Sequence, residues 1–197
     1  MNVRKPIITS LIGLAALTPC KAQRAVQLVS ETGITGVVNK EASFYSGMNF
    51  QFIKERNFTD FFAGAGVSPD KNVSFFGLGI NNYSWTKNIS SWARETFVAA
   101  KNTSKSTLEV APLKANANLG KFNFALSPAY TLYNDFRTGS TTQGINTIFQ
   151  ASYSISSKDM IFAEAKYTSE PDKNLFKTQF GKLKDNISYF IAYMRNL

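Results

Sequence analysis

The sequence predicts an all-β protein, a closed antiparallel up-and-down β-barrel of about eight to twelve strands, with about ten as the best estimate. Three observations predict this fold. Apolar and polar residues alternate with a period of two along most of the chain after residue 43. Clusters of Pro, Gly, Asn and Asp separate the alternating segments, and no long segment repeats at helical spacing. A meander of short neighbouring strands in one domain closes most simply as a barrel.

The first 22 residues are predicted to form a cleaved secretory signal peptide. Arg4 and Lys5 precede an apolar stretch that ends at Cys20-Lys21-Ala22, a pattern typical of export leaders. The stretch is shorter than the roughly 20 apolar residues of a membrane-spanning helix, and no later segment approaches that length. We therefore expect residues 1–22 to be removed and residues 23–197 to form a single β-barrel domain.

The composition excludes several kinds of catalytic and metal-binding site. The chain has no histidine, so it lacks the usual general base of hydrolases and the commonest neutral metal ligand. Its single cysteine, Cys20, lies in the predicted leader, which leaves no thiol for a disulfide, a nucleophile or a metal. Leu17-Thr18-Pro19-Cys20 also loosely resembles a lipoprotein box, so acylation of Cys20 is the alternative to its removal. We predict no catalytic residue, no cofactor and no metal site, and a protein that is not an enzyme.

The charge balance is mildly basic. Lys and Arg number 22 against 13 Asp and Glu, and the net charge of +9 falls to +6 when Arg4, Lys5 and Lys21 leave with the leader. The remaining cations stand mostly singly, in predicted turns. This distribution predicts solvated turns and no nucleic-acid partner.

Period-two alternation predicts four strands in the first half of the domain, over residues 44–53, 58–67, 73–83 and 91–100. The first is the clearest, because alternate residues from Phe44 to Phe52 form an apolar face opposite a mostly polar one. The segment Pro69-Asp70-Lys71-Asn72 predicts a turn between the second and the third. Residues 23–42, which precede these strands, are left without an assigned structure.

Six further strands are predicted in the second half, over residues 113–119, 122–132, 145–155, 161–168, 176–183 and 187–195. Alternation on both sides of Gly120-Lys121 predicts a tight hairpin at that point. No part of this region keeps a helical period for long. The total is therefore about ten strands in one domain.

The polarity of the two strand faces decides between two kinds of barrel. A soluble barrel buries its apolar face, whereas a membrane barrel turns that face to lipid and lines its interior with polar groups. Here the second face carries mainly small and neutral residues, which favours the membrane barrel. Aromatic residues make up 14% of the chain, and those near predicted strand ends are expected to form interfacial girdles. The expected girdle residues are Phe44, Phe58, Trp85, Trp92, Tyr133, Tyr167 and Tyr193.

With these features, residues 43–197 resemble small bacterial outer-membrane β-barrels, in which a signal peptide precedes about eight to twelve alternating strands. The chain closes with an aromatic-rich strand, as that class does, although it ends in Leu197 where the class usually has an aromatic residue. The resemblance implies a location in the bacterial outer membrane. It also implies membrane lipids, lipopolysaccharide and the barrel assembly machinery as partners.

The predicted connections run against this resemblance. Counted back from the last strand, the tight turns at residues 120–121, 157–159 and 184–186 would face outward, and the longest connection, residues 134–144, would face the periplasm. Barrels of this class normally place short turns in the periplasm and long loops outside. We expect either an uncounted strand within residues 23–42 or an orientation that departs from the class.

Charged residues within the predicted strands form a candidate lumen cluster of Asp60, Arg94, Glu95, Glu164 and Lys166. Such a cluster would either guide ions or neutralise a filled interior. The glycine pairs Gly64-x-Gly66 and Gly77-x-Gly79 open no helix, so they predict close packing within strands and not a nucleotide site.

The favoured function is an integral outer-membrane barrel with a structural, adhesive or narrow-pore role and little conductance. The alternative is a soluble periplasmic or secreted barrel that holds an apolar ligand, as lipocalin-like proteins do. A secreted eukaryotic β-protein is a minor alternative, because the chain contains six Asn-x-Ser/Thr sequons. They begin at Asn57, Asn72, Asn82, Asn88, Asn102 and Asn186.

Overall fold

A computed structural model of the chain describes residues 25–37, 42–54, 57–100, 103–169 and 186–197. These residues form ten antiparallel strands in a closed barrel, in which each strand pairs with its neighbours in sequence and the first pairs with the last. The predicted fold class is therefore confirmed. Within the described ranges, no helix is long and apolar enough to cross a membrane.

The strands contain between 11 and 17 residues each. Their bounds are β1 Ala25–Val37, β2 Ser43–Lys54, β3 Asn57–Val67, β4 Val73–Ser84, β5 Ile89–Ala100, β6 Thr103–Leu119, β7 Phe122–Asp135, β8 Ser140–Ser154, β9 Asp159–Ser169 and β10 Asn186–Asn196.

The strand count agrees with the prediction, but its members differ. Strand β1 lies within residues 23–42, for which the sequence predicts no structure, and its Val29 to Val37 pair with β10 to close the barrel. Strand β6 begins at Thr103, ten residues before the predicted start at residue 113. The predicted leader 1–22 and the predicted strand 176–183 lie outside the described residues.

The strand ends sort the connections into two groups. The described turns 85–88, 120–121 and 155–158 lie at the end of the barrel where β1 begins and β10 ends. The described turns 68–72 and 136–139 lie at the opposite end. The predicted mismatch with outer-membrane barrels was wrong, because it counted residues 176–183 as a strand before the last one, whereas β10 pairs directly with β9. Counted back from β10, the tight turns 120–121 and 155–158 lie at the end that holds both terminal strand ends, where barrels of this class place their short turns.

Two predicted turns are confirmed in detail. Gly120 adopts a φ of 61°, the left-handed conformation that the first position of a tight hairpin loop favours in glycine. Lys71 has a φ of 62° in the turn between β3 and β4. In that turn the Ser68 hydroxyl donates a hydrogen bond to Asp70 and holds the pKa of this carboxyl below its ordinary value.

Strand β6 contains one irregular stretch. Its pairing with β5 shifts between Ser90 and Trp92, and its pairing with β7 shifts between Val110 and Ala115. Pro112 lies inside this stretch, where an interrupted ladder requires no backbone donor from it. The bulge changes the alternation, so that Glu109 lines the interior before it and Lys114 lines the interior after it.

Apolar side chains cover the outside of the barrel. Phe44 is 70% exposed, Phe75 is 62% exposed and Phe149 is 47% exposed. Phe50 is also exposed, and Phe124 stacks on Phe149 with 6.4 Å between ring centroids. The predicted apolar face is therefore the exterior of the barrel.

Four of the predicted girdle residues are exposed at strand ends or in turns, namely Phe44, Trp85, Tyr167 and Tyr193. The other three were predicted wrongly. Phe58 and Trp92 line the interior cavity, and the Tyr133 hydroxyl donates to Asn146, which is fully buried. They sit on the inward positions of their strands, which nearness to a strand end does not reveal.

Candidate functional site in the barrel lumen

The inward positions of the strands enclose a cavity of about 420 Å³ that is not sealed from solvent. Charged, amide and aromatic side chains all line it, drawn from nine of the ten strands. They divide into three groups that differ in their chemistry.

The first group is an ion-pair network formed by Arg94 on β5, Glu109 on β6, and Glu164 and Lys166 on β9. The Arg94 guanidinium donates to both oxygens of Glu164, with Nη1 2.8 Å from Oε2 and Nη2 2.9 Å from Oε1. Its Nε donates to Glu109 Oε2 at 2.7 Å. Lys166 Nζ lies 3.2 Å from Glu109 Oε1. Two cations and two carboxylates therefore neutralise one another.

Neutral side chains complete the hydrogen bonding of this network. Asn146 Nδ2 donates to Glu109 Oε1 at 2.8 Å, and Gln150 Nε2 donates to Glu164 Oε2 at 2.8 Å. The Arg94 guanidinium carbon also lies 5.1 Å from the centre of the Trp92 ring, a cation–π distance. A buried ion pair is tolerated when its remaining lone pairs and protons are satisfied in this way.

The network crosses the lumen. In the closed barrel, β6, β7 and β8 separate β5 from β9 on one side, and the other five strands separate them on the other. The contact between Arg94 and Glu164 therefore joins nearly opposite walls, close to the middle of both strands. A charged strut in this position narrows the passage through the barrel.

The second group is an acidic wall formed by Glu31 on β1, Asn49 and Gln51 on β2, and Asp60 on β3. Glu31 accepts hydrogen bonds from the Tyr45 hydroxyl at 3.0 Å and from Asn49 Nδ2 at 2.5 Å. Asp60 accepts one from Gln51 Nε2 at 3.2 Å. No ion pair among the described residues involves Glu31 or Asp60. This wall therefore carries two buried carboxylates that have only neutral partners.

The third group is an aromatic cluster of Tyr45, Phe62, Phe76, Phe162 and Phe190. Tyr45 stacks on Phe190 at 5.1 Å and meets Phe62 edge-on at 6.0 Å. Phe162 contacts Phe190 edge-on at 5.8 Å. These rings occupy inward positions of β2, β3, β4, β9 and β10. The interior is therefore only partly polar, whereas the sequence predicts a largely polar lining.

Glycines make room for these rings. A Cβ atom added at Gly64 would lie 2.5 Å from the Phe62 ring, and one at Gly66 would lie 2.6 Å from the Phe76 ring. The close packing predicted for this glycine pair is confirmed. Gly77 differs, because the nearest atom to its added Cβ would be Phe97 Cβ, 4.0 Å away.

The structure brings three of the five predicted lumen residues together. Arg94 binds Glu164 directly, and Lys166 joins them through Glu109. Asp60 lines the same cavity on the acidic wall. Glu95 neighbours Arg94 on β5, so alternation points it to the outer face, and it does not line the cavity.

Sequence reasoning missed Glu109 and Glu31, which are both buried. Glu109 lies in the part of β6 before the bulge, where Thr107, Glu109 and Ala111 alternate with apolar Leu108 and Val110. That alternation was the available signal, but the predicted strand begins only after Pro112, at Leu113. Glu31 lies in β1, where short runs of Thr, Gly and Val obscure the period.

No known family model matches the chain, and no curated protein sequence matches it. Similar solved structures include the translocator domain of the autotransporter NalP from Neisseria meningitidis. The two sequences are 11% identical, the match covers 97% of this chain and 96% of the NalP domain, and the TM-score is 0.47. The NanC porin has 11% identity, 88% and 100% coverage and a TM-score of 0.44. OmpT of Vibrio cholerae has 10% identity, 88% coverage of this chain and a TM-score of 0.38.

This chain spans 62% of the length of that OmpT chain and 60% of a loop-deleted form of it. The neighbours are bacterial outer-membrane β-barrels, the class that the sequence resembles. At these identities and TM-scores the matches carry no argument about location or activity.

Proposed function

We propose that this chain is an integral barrel of the bacterial outer membrane, with a structural or narrow-pore role and no catalytic one. The observation that carries the proposal is the distribution of polarity across the barrel wall. Large apolar side chains such as Phe44, Phe75 and Phe149 are exposed outside, while Arg94, Glu109 and Glu164 are buried inside. A barrel in lipid has this distribution, and a soluble barrel has the reverse.

The alternative, a soluble lipocalin-like barrel, has one observation in its favour, the aromatic cluster in the lumen. A soluble barrel would nevertheless leave the apolar exterior in water, which soluble monomers avoid over large areas. The exposed apolar residues occur on every side of this barrel, from Val26 on β1 to Ile191 on β10. Membrane lipids, including lipopolysaccharide, and the assembly machinery that inserts such barrels are the partners that the proposal entails.

Cell fractionation tests the location. The full chain, expressed in a Gram-negative host, is expected in the detergent-extracted outer membrane, with a gel mobility that changes on heating. A second export-competent protein of the periplasm serves as the soluble control. Recovery of the chain with that control, in the absence of detergent, would contradict the proposal.

Planar-bilayer recordings test the state of the lumen. The ion-pair network crosses the barrel near mid-height, so the wild-type protein is expected to show little or no single-channel conductance. Replacing Arg94 by alanine removes the strut and is expected to produce measurable current steps in protein that still folds. Large steady steps from the wild type would show that the strut does not close the passage.

A further inference from the structure

The acidic wall differs from the rest of the lumen in lacking a positive partner. Arg94 and Lys166 are bound to Glu109 and Glu164, and the charge of Lys114 also acts on Glu164. These three cations line the same cavity. Glu31 and Asp60 remain with neutral donors alone. The negative charge of the two carboxylates is thus left for a group that is not part of the described protein.

Two atoms on this wall have no hydrogen-bond partner, although both are buried. They are Asn49 Oδ1 and Asp60 Oδ1, on residues that are 2% and 7% exposed. The orientation of the Asn49 amide is fixed, because its nitrogen must face the Glu31 carboxylate, which only accepts. Both unpartnered atoms are therefore acceptors, and the group that completes them must donate.

The two acceptors lie at adjacent inward positions. Asn49 and Gln51 alternate on β2, and Gln51 pairs across the sheet with Asp60. Diagonal neighbours of this kind are within reach of one bound group. Both residues also line the cavity.

The surroundings favour an organic cation over a metal ion. The described residues contain no group of three Asp, Glu, His or Cys side chains suited to a metal. Aromatic residues stand beside the acceptors instead, since Phe58 and Phe62 flank Asp60 on the inward face of β3. An ammonium group that donates to oxygen atoms and lies against ring faces is recognised by such a combination.

We propose that the acidic wall is a binding site for a small alkylammonium ion. The ammonium group donates to Asn49 Oδ1 and Asp60 Oδ1, and its alkyl chain lies against the aromatic cluster. The cavity of about 420 Å³ has room for a chain of several carbons. Binding at this site requires the folded barrel but does not depend on where the barrel is located. The proposed site can therefore be wrong while the proposed membrane location is right, and the location can be wrong while the site is right.

Calorimetric titration of the purified barrel, folded in detergent, tests this site. The probe is n-butylammonium, with 1-butanol as the neutral molecule of similar shape and Ca²⁺ as the metal cation. Asp60→Asn removes the charge and keeps an acceptor for Gln51. Asp70→Asn makes the same change in an exposed turn and serves as the matched control.

Saturable binding of n-butylammonium to the wild type and to the Asp70 variant is expected, with no saturable binding of 1-butanol. The Asp60 variant is expected to bind at least about tenfold more weakly, as loss of a charge-assisted contact implies. Three results would overturn the proposal: no saturable binding, which would leave the acceptors to water; equal affinity of the Asp60 variant; or saturable binding of Ca²⁺ alone. Heat-modifiable gel mobility of each variant establishes that it is folded.

Discussion

The ion-pair network and the acidic wall hold buried carboxylates in two different ways. Glu109 and Glu164 each contact a cation, whereas Glu31 and Asp60 contact only a hydroxyl and amides. Both groups lie in the same lumen, the acidic wall on the adjacent strands β1, β2 and β3 and the network across β5, β6 and β9. The difference shows that the strand that carries a buried carboxylate determines which partner it has. The overall balance of cations and anions in the lumen does not determine it.

The largest expected effect comes from removing the cation at the centre of the network. Arg94→Ala leaves Glu109 and Glu164 buried without that partner, and loss of one member of a buried ion pair costs about 3–5 kcal/mol. Urea unfolding followed by tryptophan fluorescence measures the loss. Lys105→Ala is the control, because Lys105 Nζ lies 3.9 Å from Asp135 Oδ2 and the Lys105 side chain is half exposed. Its replacement is expected to lower the free energy of unfolding by less than about 1 kcal/mol. Equal losses in the two variants would contradict the assigned network.

Neutralising one carboxylate of the ion-pair network and one of the acidic wall allows a direct comparison of the two groups. Glu164→Gln weakens the bonds from Arg94 and is expected to destabilise the barrel by roughly 2 kcal/mol, the scale of a charged hydrogen bond. Asp60→Asn removes an uncompensated buried charge and is expected to stabilise the ligand-free barrel by roughly 1 kcal/mol. The same unfolding assay gives both values. If the two changes have the same sign, the contrast between the walls is wrong.

Glycine substitutions test the aromatic cluster that adjoins the acidic wall. Gly64→Ala would place a methyl group 2.5 Å from the Phe62 ring and is expected to cost about 1–3 kcal/mol, the usual penalty of overpacking. Gly77→Ala adds the same group where the nearest atom is 4.0 Å away, and is expected to be neutral or stabilising by about 0.5–1 kcal/mol. Thermal or urea unfolding separates them, and a harmless Gly64→Ala would show that the rings are not confined.

The smallest expected effect concerns the hydroxyl that binds Glu31. Tyr45→Phe keeps the ring stacked on Phe190 and removes one donor from the carboxylate, for a loss of roughly 1 kcal/mol. Tyr130→Phe, whose hydroxyl contacts Gln143 on the exposed surface, is expected to change stability by less than about 0.5 kcal/mol. A silent Tyr45→Phe would mean that Glu31 does not depend on this bond.

Much of the fold could be predicted from the sequence, because a period of two is a direct consequence of strand geometry. Strands such as β2 and β4 therefore have nearly the predicted bounds. Strand β1 could not be recognised, because Gly33, Gly36 and small polar residues blur the contrast between its faces. Small residues are tolerated there because β1 packs against Tyr45 and Tyr189 rings, which local sequence does not reveal.

The lumen could be predicted only in part. The inward positions of Glu164 and Lys166 follow from the alternation of β9. The sequence predicts that they share a lumen cluster with Arg94, but not which of these side chains are in contact. That Arg94 reaches Glu164 depends on the curvature that brings β5 opposite β9, which is a property of the closed barrel. The unpartnered atoms of the acidic wall depend on side-chain orientation, for which the sequence contains no signal.

The irregular stretch of β6 places a constraint on how this chain can change length. Between Val110 and Ala115 the strand advances by five residues while β7 advances by four, from Tyr130 to Leu126, so β6 carries one extra residue here. Loss of one residue from this stretch would restore the regular alternation and leave Lys114 and Asn116 facing the interior, whereas loss of two would turn both to the apolar exterior. In this stretch, related chains are therefore expected either to keep the extra residue or to lack it alone, which their lengths can check.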